Sequence, residues 1–305
     1  MVDRSPSAVP VSRSSQRTDH AGPSDRRGLR IGAVSYLNTK PLIPGLAGAG
    51  IDLVLDLPSR LADGLAAGAY DVALIPSIEL FRGAGERVVS DACIGCHGPV
   101  MSVKLFFRRS PAHVRTLAID EGSRTSVALA RIILAERYGV RPELEILPIG
   151  GRLSDTNADA VLLIGDRALD GRVLGERGDV GGPAGAFCLV QDLGDEWCRW
   201  TGLPFVFAVW VARAGLDDAT VATLETALGS ARDRGRRGLA AIAAAEAAGH
   251  GLTVEQCLGY LRDNLHYDLG PREREALALF HGKASALGLC PAPVARSRTP
   301  RPALR

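Results

Sequence analysis

Between Leu29 and Ser77 short apolar runs alternate with helical segments, and this alternation restricts the fold more than any other feature. Leu29-Arg-Ile-Gly-Ala-Val34 reads as a buried strand, and Tyr36-Leu-Asn-Thr-Lys-Pro41 as a turn whose proline suits the first turn of a helix. Ile51 to Leu57 reads as a second strand, Pro58 to Gly68 as a short helix ended by glycine, and Asp71 to Ile75 as a third strand closed by Pro76-Ser77. A βαβαβ opening implies a mostly parallel sheet with helices on its faces and ligands at the carboxyl ends of its strands. Residues 35–40 and 76–79 stand at those ends.

From Gly98 to Phe107 an alternating segment carries the chain out of this first unit, and the pattern then restarts. Arg115 to Ile119 is a strand, residues 120–126 a loop, and Val127 to Tyr138 an amphipathic helix stopped by Gly139. Glu143 to Ile149 and Ala158 to Ile164 add two strands, and Phe205 to Val211 another. Everything after Leu216 is helical by composition, in stretches to Gly249, from Thr253 to Leu265 and from Pro271 to Leu287. The expected architecture is an α/β clamshell. Lobe one is 29–100 plus 205–290, lobe two is 101–204, the ligand sits in the cleft between them, and residues 1–28 and 291–305 are disordered tails.

Composition narrows the class of partner. The longest apolar run, Leu203 to Ala212, is broken by Pro204 and falls far short of the ~20 residues that span a bilayer. Residues 1–28 carry a net +2 and residues 291–305 a net +4, so with a formal charge of +2 overall the body between them carries −4. The basicity therefore belongs to the tails rather than to a folded face that reads nucleic acid. The first 28 residues lack the apolar core of a secretory signal, so a cytoplasmic chain is expected.

Six cysteines, at 93, 96, 188, 198, 257 and 290, read as reduced thiols in such a compartment. Cys93-Ile-Gly-Cys96-His97 matches the C-x-x-C-H pattern of covalent haem attachment, but that needs export and a plausible second axial ligand. A zinc site wants a second C-x-x-C or a histidine pair at ligand spacing, and a redox pair wants to open a helix. Here Gly98-Pro99 and the alternating residues after it predict a strand instead, so no metal ligands are assigned and the thiols are read as structural.

Site candidates follow from the strand ends. Ser35, Tyr36 and Asn38 end the first strand, where side chains and free amides suit an anion. Asn38 cannot act as a base, so its role is to polarise a hydroxyl or hold a carboxylate. Ser123, Thr125 and Ser126, in Ser123-Arg-Thr-Ser126, precede a helix and read either as an N-cap or as a carboxylate cradle of hydroxyls and free N–H groups. Ser77, Ser102 and Asp166 face the same cleft, with Asp166 equally able to cap a helix. No Ser-His-Asp arrangement, G-x-S-x-G elbow, Walker sequence or G-x-G-x-x-G after a strand is present, so no cofactor is expected and the chemistry left is lyase-like or simple binding.

Taken in order, Val34-Ser-Tyr-Leu-Asn-Thr-Lys-Pro-Leu42, Gly98-Pro-Val-Met-Ser-Val103, Ser123-Arg-Thr-Ser126, Leu163-Ile-Gly-Asp-Arg-Ala-Leu169, Asp192-Leu-Gly-Asp-Glu-Trp197 and Thr201 to Trp210 form a set. It resembles the chorismate dehydratases of the futalosine-dependent menaquinone pathway, over roughly residues 29–288. The resemblance implies a type II periplasmic-binding-protein-like fold used for catalysis inside the cell. It implies conversion of chorismate to 3-(1-carboxyvinyloxy)benzoate and water, without metal or organic cofactor. Asn38 would hold the reacting groups, Ser123 to Ser126 would bind a carboxylate, and the substrate's own enolpyruvyl carboxylate would take the proton. The partner expected is chorismate, with no nucleic acid or membrane, and the chain is read as a monomer or homodimer. Two alternatives stand beside this. One is the sister enzyme that releases dihydroxynaphthoate from a cyclised futalosine using a catalytic histidine; the other is a non-catalytic cytoplasmic anion-binding protein. Cys93, Cys96 and the Arg-rich tails are additions to the family pattern.

Overall fold

Strand β1 (Leu29–Val34) pairs in parallel with β2 (Ile51–Asp56), and the helix that follows, α1 (Pro58–Ala66), opens on a proline and turns Leu61, Ala62 and Leu65 inward. Gly32 of β1 lets that helix lie close, since a Cβ there would sit 2.7 Å from Leu61 Cδ2. Next come β3 (Val72–Pro76), α2 (Ser77–Phe81) and β4 (Arg87–Cys96). The computed structural model describes residues 28–48, 50–169 and 187–293; the expected tails lie outside these except for Gly28 and residues 291–293.

The chain then builds β5 (Val103–Phe107), β6 (Thr116–Asp120), α3 (Thr125–Tyr138), β7 (Glu143–Leu147), β8 (Ala160–Ile164) and α4 (Asp166–Leu169). It continues through β9 (Leu189–Asp192), α5 (Leu193–Thr201) and β10 (Phe205–Ala212). The remainder is α6 (Asp218–Arg237), α7 (Leu239–Glu246), α8 (Val254–Gly259), β11 (His266–Asp268) and α9 (Pro271–Ala286). Two mixed sheets result, with strand orders β11-β4-β10-β3-β1-β2 and β7-β6-β8-β5-β9. Each sheet has a parallel part, β2-β1-β3 in one and β7-β6-β8 in the other, to which antiparallel strands are added. The chain passes from the first sheet to the second between Cys96 and Val103 and returns after α5. At the return, Trp197 is wholly buried against Phe205, with ring centroids 5.1 Å apart, and its indole N–H donates to the Pro204 carbonyl at 2.9 Å.

Three local readings change. The turn after β1 is a 3-10 helix, Leu37–Leu42, with Pro41 inside it rather than at its start. The alternating segment from Gly98 becomes a strand only at Val103, because the Asp192 carboxylate accepts from the Val100 amide at 3.0 Å and the Met101 amide at 2.6 Å. Met101 is thereby held at φ 61°, a left-handed conformation that no strand uses and that a side chain makes unfavourable. Cys93 and Cys96 lie at the end of the long strand β4, and the helical tail is interrupted by β11.

Asp192 also caps α5, accepting from the Asp195 amide at 3.1 Å. Asp192→Ala leaves the buried Val100 amide and a helix N-terminus without an acceptor, and we expect a loss of about 2–3 kcal/mol in urea unfolding. A loss below about 1 kcal/mol shows that the crossing is held by something else.

Candidate active site

A pocket of about 520 Å³, counting its open mouth, lies where the carboxyl end of β1 meets the loops of the second sheet. Its polar wall is Arg124 together with Tyr36, Asn38, Ser102, Ser123, Thr125 and Ser126, the last six being among the nine residues expected from the sequence. The rest is mostly apolar, including Val34, Ile94, Val100 and Phe207. The 35–40 and 123–126 turns therefore confront one another across one cavity.

Tyr36 makes that meeting possible. Its ring comes from the first sheet and packs on Gly165 of the second, where φ is +61° and a Cβ would stand 2.7 Å from the ring. Burial raises the Tyr36 phenol well above its usual range, and the Asp120 and Asp166 charges raise it further, so the hydroxyl stays a proton donor. Beside it the Leu37 amide donates to Asp166 Oδ1 at 3.0 Å, across the two sheets. Asp166 is thus occupied with the turn that carries Asn38; its second oxygen lies 3.3 Å from His250 Nδ1. Burial raises the Asp166 carboxyl, opposed by the Leu37 amide, His250 and Lys40. Asp166 and Ser77 do not line the pocket, and neither does the exposed Ser35. Ser77 is wholly buried: its hydroxyl donates to the Val206 carbonyl at 2.8 Å, so it accepts from Thr125 Oγ1 at 3.4 Å, tying α2 to α3.

The capping reading of Ser123 to Ser126 does not hold. The N-cap of α3 is Arg124, which makes no side-chain cap bond, so a 14-residue helix presents its first amides at the pocket without one. Ser123 Oγ is buried there with no hydrogen-bond partner among the described residues. Arg124, to which the sequence reading assigned no role, lines the pocket and reaches across to Asp63 at 2.8 Å and Glu79 at 3.4 Å. Below this loop, Asp120 is buried and paired with Arg167 at 2.9 Å; burial raises its carboxyl, while Arg167 and two backbone amides pull the other way.

One residue was missed entirely. After α8 the chain tightens into a π turn, Tyr260–Asn264, which buries the Tyr260 hydroxyl behind Asn38 and Ser102. That hydroxyl makes no hydrogen bond of acceptable geometry to any described residue, and burial raises it far above its usual range. Of these two unpaired hydroxyls, Ser123 Oγ belongs to a residue of the pocket wall and Tyr260 Oη stands one layer behind it. Among the described residues that line it there is no carboxylate, imidazole, thiol or amine, so the wall can donate hydrogen bonds and polarise but has no ordinary base.

Residues 29–286 match the family described as menaquinone biosynthesis. The chain belongs to that family. Within this menaquinone-biosynthesis family it is 32% identical over 275 residues to the chorismate dehydratase of Thermus thermophilus, a match covering 87% of this chain and 97% of that protein. Its fold is similar to that of a solved protein of Archaeoglobus fulgidus (TM-score 0.68, 16% identity, 86% of this chain and 98% of that one). It is also similar to the periplasmic aliphatic sulphonate binding protein of Escherichia coli (TM-score 0.58, 18% identity, 86% and 87%). The family member described here thus has the two-lobed α/β fold of periplasmic binding proteins, as expected. Among the described residues no helix is long and apolar enough to cross a membrane.

The orphaned hydroxyls give a stability test free of any substrate. Tyr260→Phe and Ser123→Ala each remove a buried, unpaired polar atom, and each is expected to leave unfolding free energy unchanged or higher by up to about 1–2 kcal/mol. A loss of more than about 1 kcal/mol in either shows that the hydroxyl is paired in the free protein.

Proposed function

We propose that this chain is a hydro-lyase that dehydrates chorismate to 3-(1-carboxyvinyloxy)benzoate in the futalosine-dependent route to menaquinone, acting in the cytoplasm. The observation that carries the reading is a hydroxyl- and amide-lined pocket with no carboxylate, imidazole, thiol or amine among its described residues, in a chain 32% identical to a chorismate dehydratase. Loss of a ring proton and the neighbouring hydroxyl makes the ring aromatic, so the driving force lies in the substrate. The protein has only to orient, desolvate and polarise it. The elimination is redox-neutral and calls on no redox cofactor.

In this reading the first amides of α3, with Ser123, Thr125, Ser126 and the Arg124 guanidinium, hold one carboxylate. Asn38, with Tyr260 behind it, sets the reacting end, and Ser102 and Tyr36 close the walls. The enolpyruvyl carboxylate of the substrate removes the proton from the ring carbon that bears its ether. The C–H electron pair moves into the ring, the neighbouring C–O bond breaks, and the same proton leaves on the departing hydroxyl as water. Asp166 and Ser77 act at one remove, by fixing the turns that carry Asn38 and Thr125. The sister dihydroxynaphthoate enzyme is not favoured, because no histidine among the described residues lines the pocket.

Incubation with chorismate, followed by ultraviolet absorbance and proton NMR, should show a new aromatic product. Asn38→Ala should lower kcat by about 10²–10³, the usual scale for one polarising donor. Saturable chorismate binding without product makes the chain a binding protein, and undiminished turnover in the variant removes Asn38 from the chemistry.

A further inference from the structure

Away from the cleft, three side chains distant in sequence converge at the edge of the first sheet. His97 follows the last residue of β4, His266 opens β11 opposite Gly95, and Glu273 stands in the first turn of α9. His97 Nε2 lies 2.8 Å and His266 Nε2 3.6 Å from the same oxygen, Glu273 Oε1. The two imidazoles face each other with ring centroids 4.0 Å apart and planes inclined by 37°. One potential donor atom from each residue falls within 4.8 Å of the other two.

We propose that His97, His266 and Glu273 form a binding site for a divalent transition-metal ion of the zinc class. Two donors bound 2.0–2.1 Å from one tetrahedral ion stand about 3.3 Å apart, and the two nitrogen-to-oxygen separations bracket that value. Two imidazole nitrogens and one carboxylate oxygen suit zinc, cobalt or nickel rather than the all-oxygen shells of magnesium and calcium. His266 is held below the usual histidine range, first by burial and then by the neighbouring His97, with the Glu273 and Asp268 charges opposing. Glu273 is held below the usual glutamate range: burial opposes this, but its own amide and the two histidines outweigh it. The carboxylate is placed by the fold, being 7% exposed and lying under Gly270, where a Cβ would come within 2.9 Å of Oε2. His97 is 52% exposed, which leaves the remaining coordination positions open to water.

An ion at this point would bind together the end of β4, the edge strand β11 and the start of α9. His97 is the first residue of the segment that crosses to the second sheet, and Arg272, beside Glu273, donates to the Gly202 carbonyl at the return crossing. The site is therefore structural, at the base of both connections, and separate from the proposed dehydration. The C-x-x-C-H run points to a metal, but through its histidine: Cys93 is buried behind the cluster, close enough for the Glu273 charge to raise its thiol, with burial the larger cause.

The test uses the full chain without an affinity tag, freed of metal by chelator and titrated calorimetrically with zinc chloride. One equivalent should bind, and zinc should raise Tm by several degrees. His97→Ala and Glu273→Gln should each weaken binding at least ~10-fold, as loss of a ligand exceeds the effect of an outer partner. The His97 change is at a half-exposed position, and circular dichroism checks that this variant folds. The wild-type chain loaded with cobalt should give visible bands without a thiolate charge-transfer band, a readout that needs no variant. Absence of saturable binding, unchanged affinity in His97→Ala, or a thiolate band that moves the ion to cysteine each overturns the proposal.

Discussion

The Asp192 carboxylate accepts from the amides of Val100, Met101 and Asp195, and the geometry of the whole cleft follows from where this leaves the crossing chain. With Val100 and Met101 fixed, Ser102 faces the pocket and its carbonyl accepts from the Gly165 amide at 2.8 Å. Gly165 in its left-handed conformation gives the Tyr36 ring a surface to lie on, and the next residue, Asp166, receives the Leu37 amide. The turn bearing Asn38 is thus linked, through this chain of contacts, to a carboxylate at the end of an edge strand of the other sheet. Burial raises the Asp192 carboxyl, against four backbone amides that favour the anion, so the same group that organises the crossing carries a desolvation cost.

How far the sequence foretold this depends on the range over which each feature is determined. The first three strands and α1 were legible because each is bounded by its own signals: an apolar run, a proline at the first helical turn, a glycine at the end. Strand β4 and the turn after it were not. Alternation from Val100 to Leu105 favours an extended chain, and only a carboxylate from Asp192, 91 residues away, bends it. Within the site, Tyr36, Asn38 and the 123–126 run were legible because they stand at strand ends, where parallel sheets keep their ligands. Tyr260 lies in a helical stretch that looks like any other. It comes to lie behind Asn38 and Ser102 where the helix tightens into a π turn, which propensity does not report. His266 and Glu273 escape notice for the same reason as Asp192, since their spacing to His97 exists only after folding.

The two orphaned hydroxyls, Ser123 Oγ and Tyr260 Oη, work against the stability of the free protein. In a core they would be defects. In the proposed dehydration Ser123 Oγ is a donor already in place for a carboxylate and Tyr260 Oη supports Asn38 from behind, an arrangement that needs little reorganisation when the substrate binds. The π turn is part of the same arrangement, a less favourable local helix that sets one hydroxyl behind the residue proposed to polarise the substrate.

The electrostatics of the wall fit a substrate that serves as its own base. A carboxylate held directly by an unshared guanidinium or ammonium becomes a weaker base, because a nearby opposite charge favours its ionised form. Here the guanidinium of Arg124 is already shared between Asp63 and Glu79, so its charge is largely answered before any ligand enters. The other donors at the pocket, Tyr36, Asn38, the serines and the helix amides, are neutral, and the apolar residues around them remove water. A carboxylate gripped in this way is oriented and desolvated but only partly neutralised, and desolvation raises its affinity for a proton. A wall rich in lysine and arginine would bind such a dianion more tightly and leave it less able to deprotonate its own ring. In the proposed mechanism, the shortage of charge among the described pocket residues is what would let binding and proton abstraction be carried by the same ligand group.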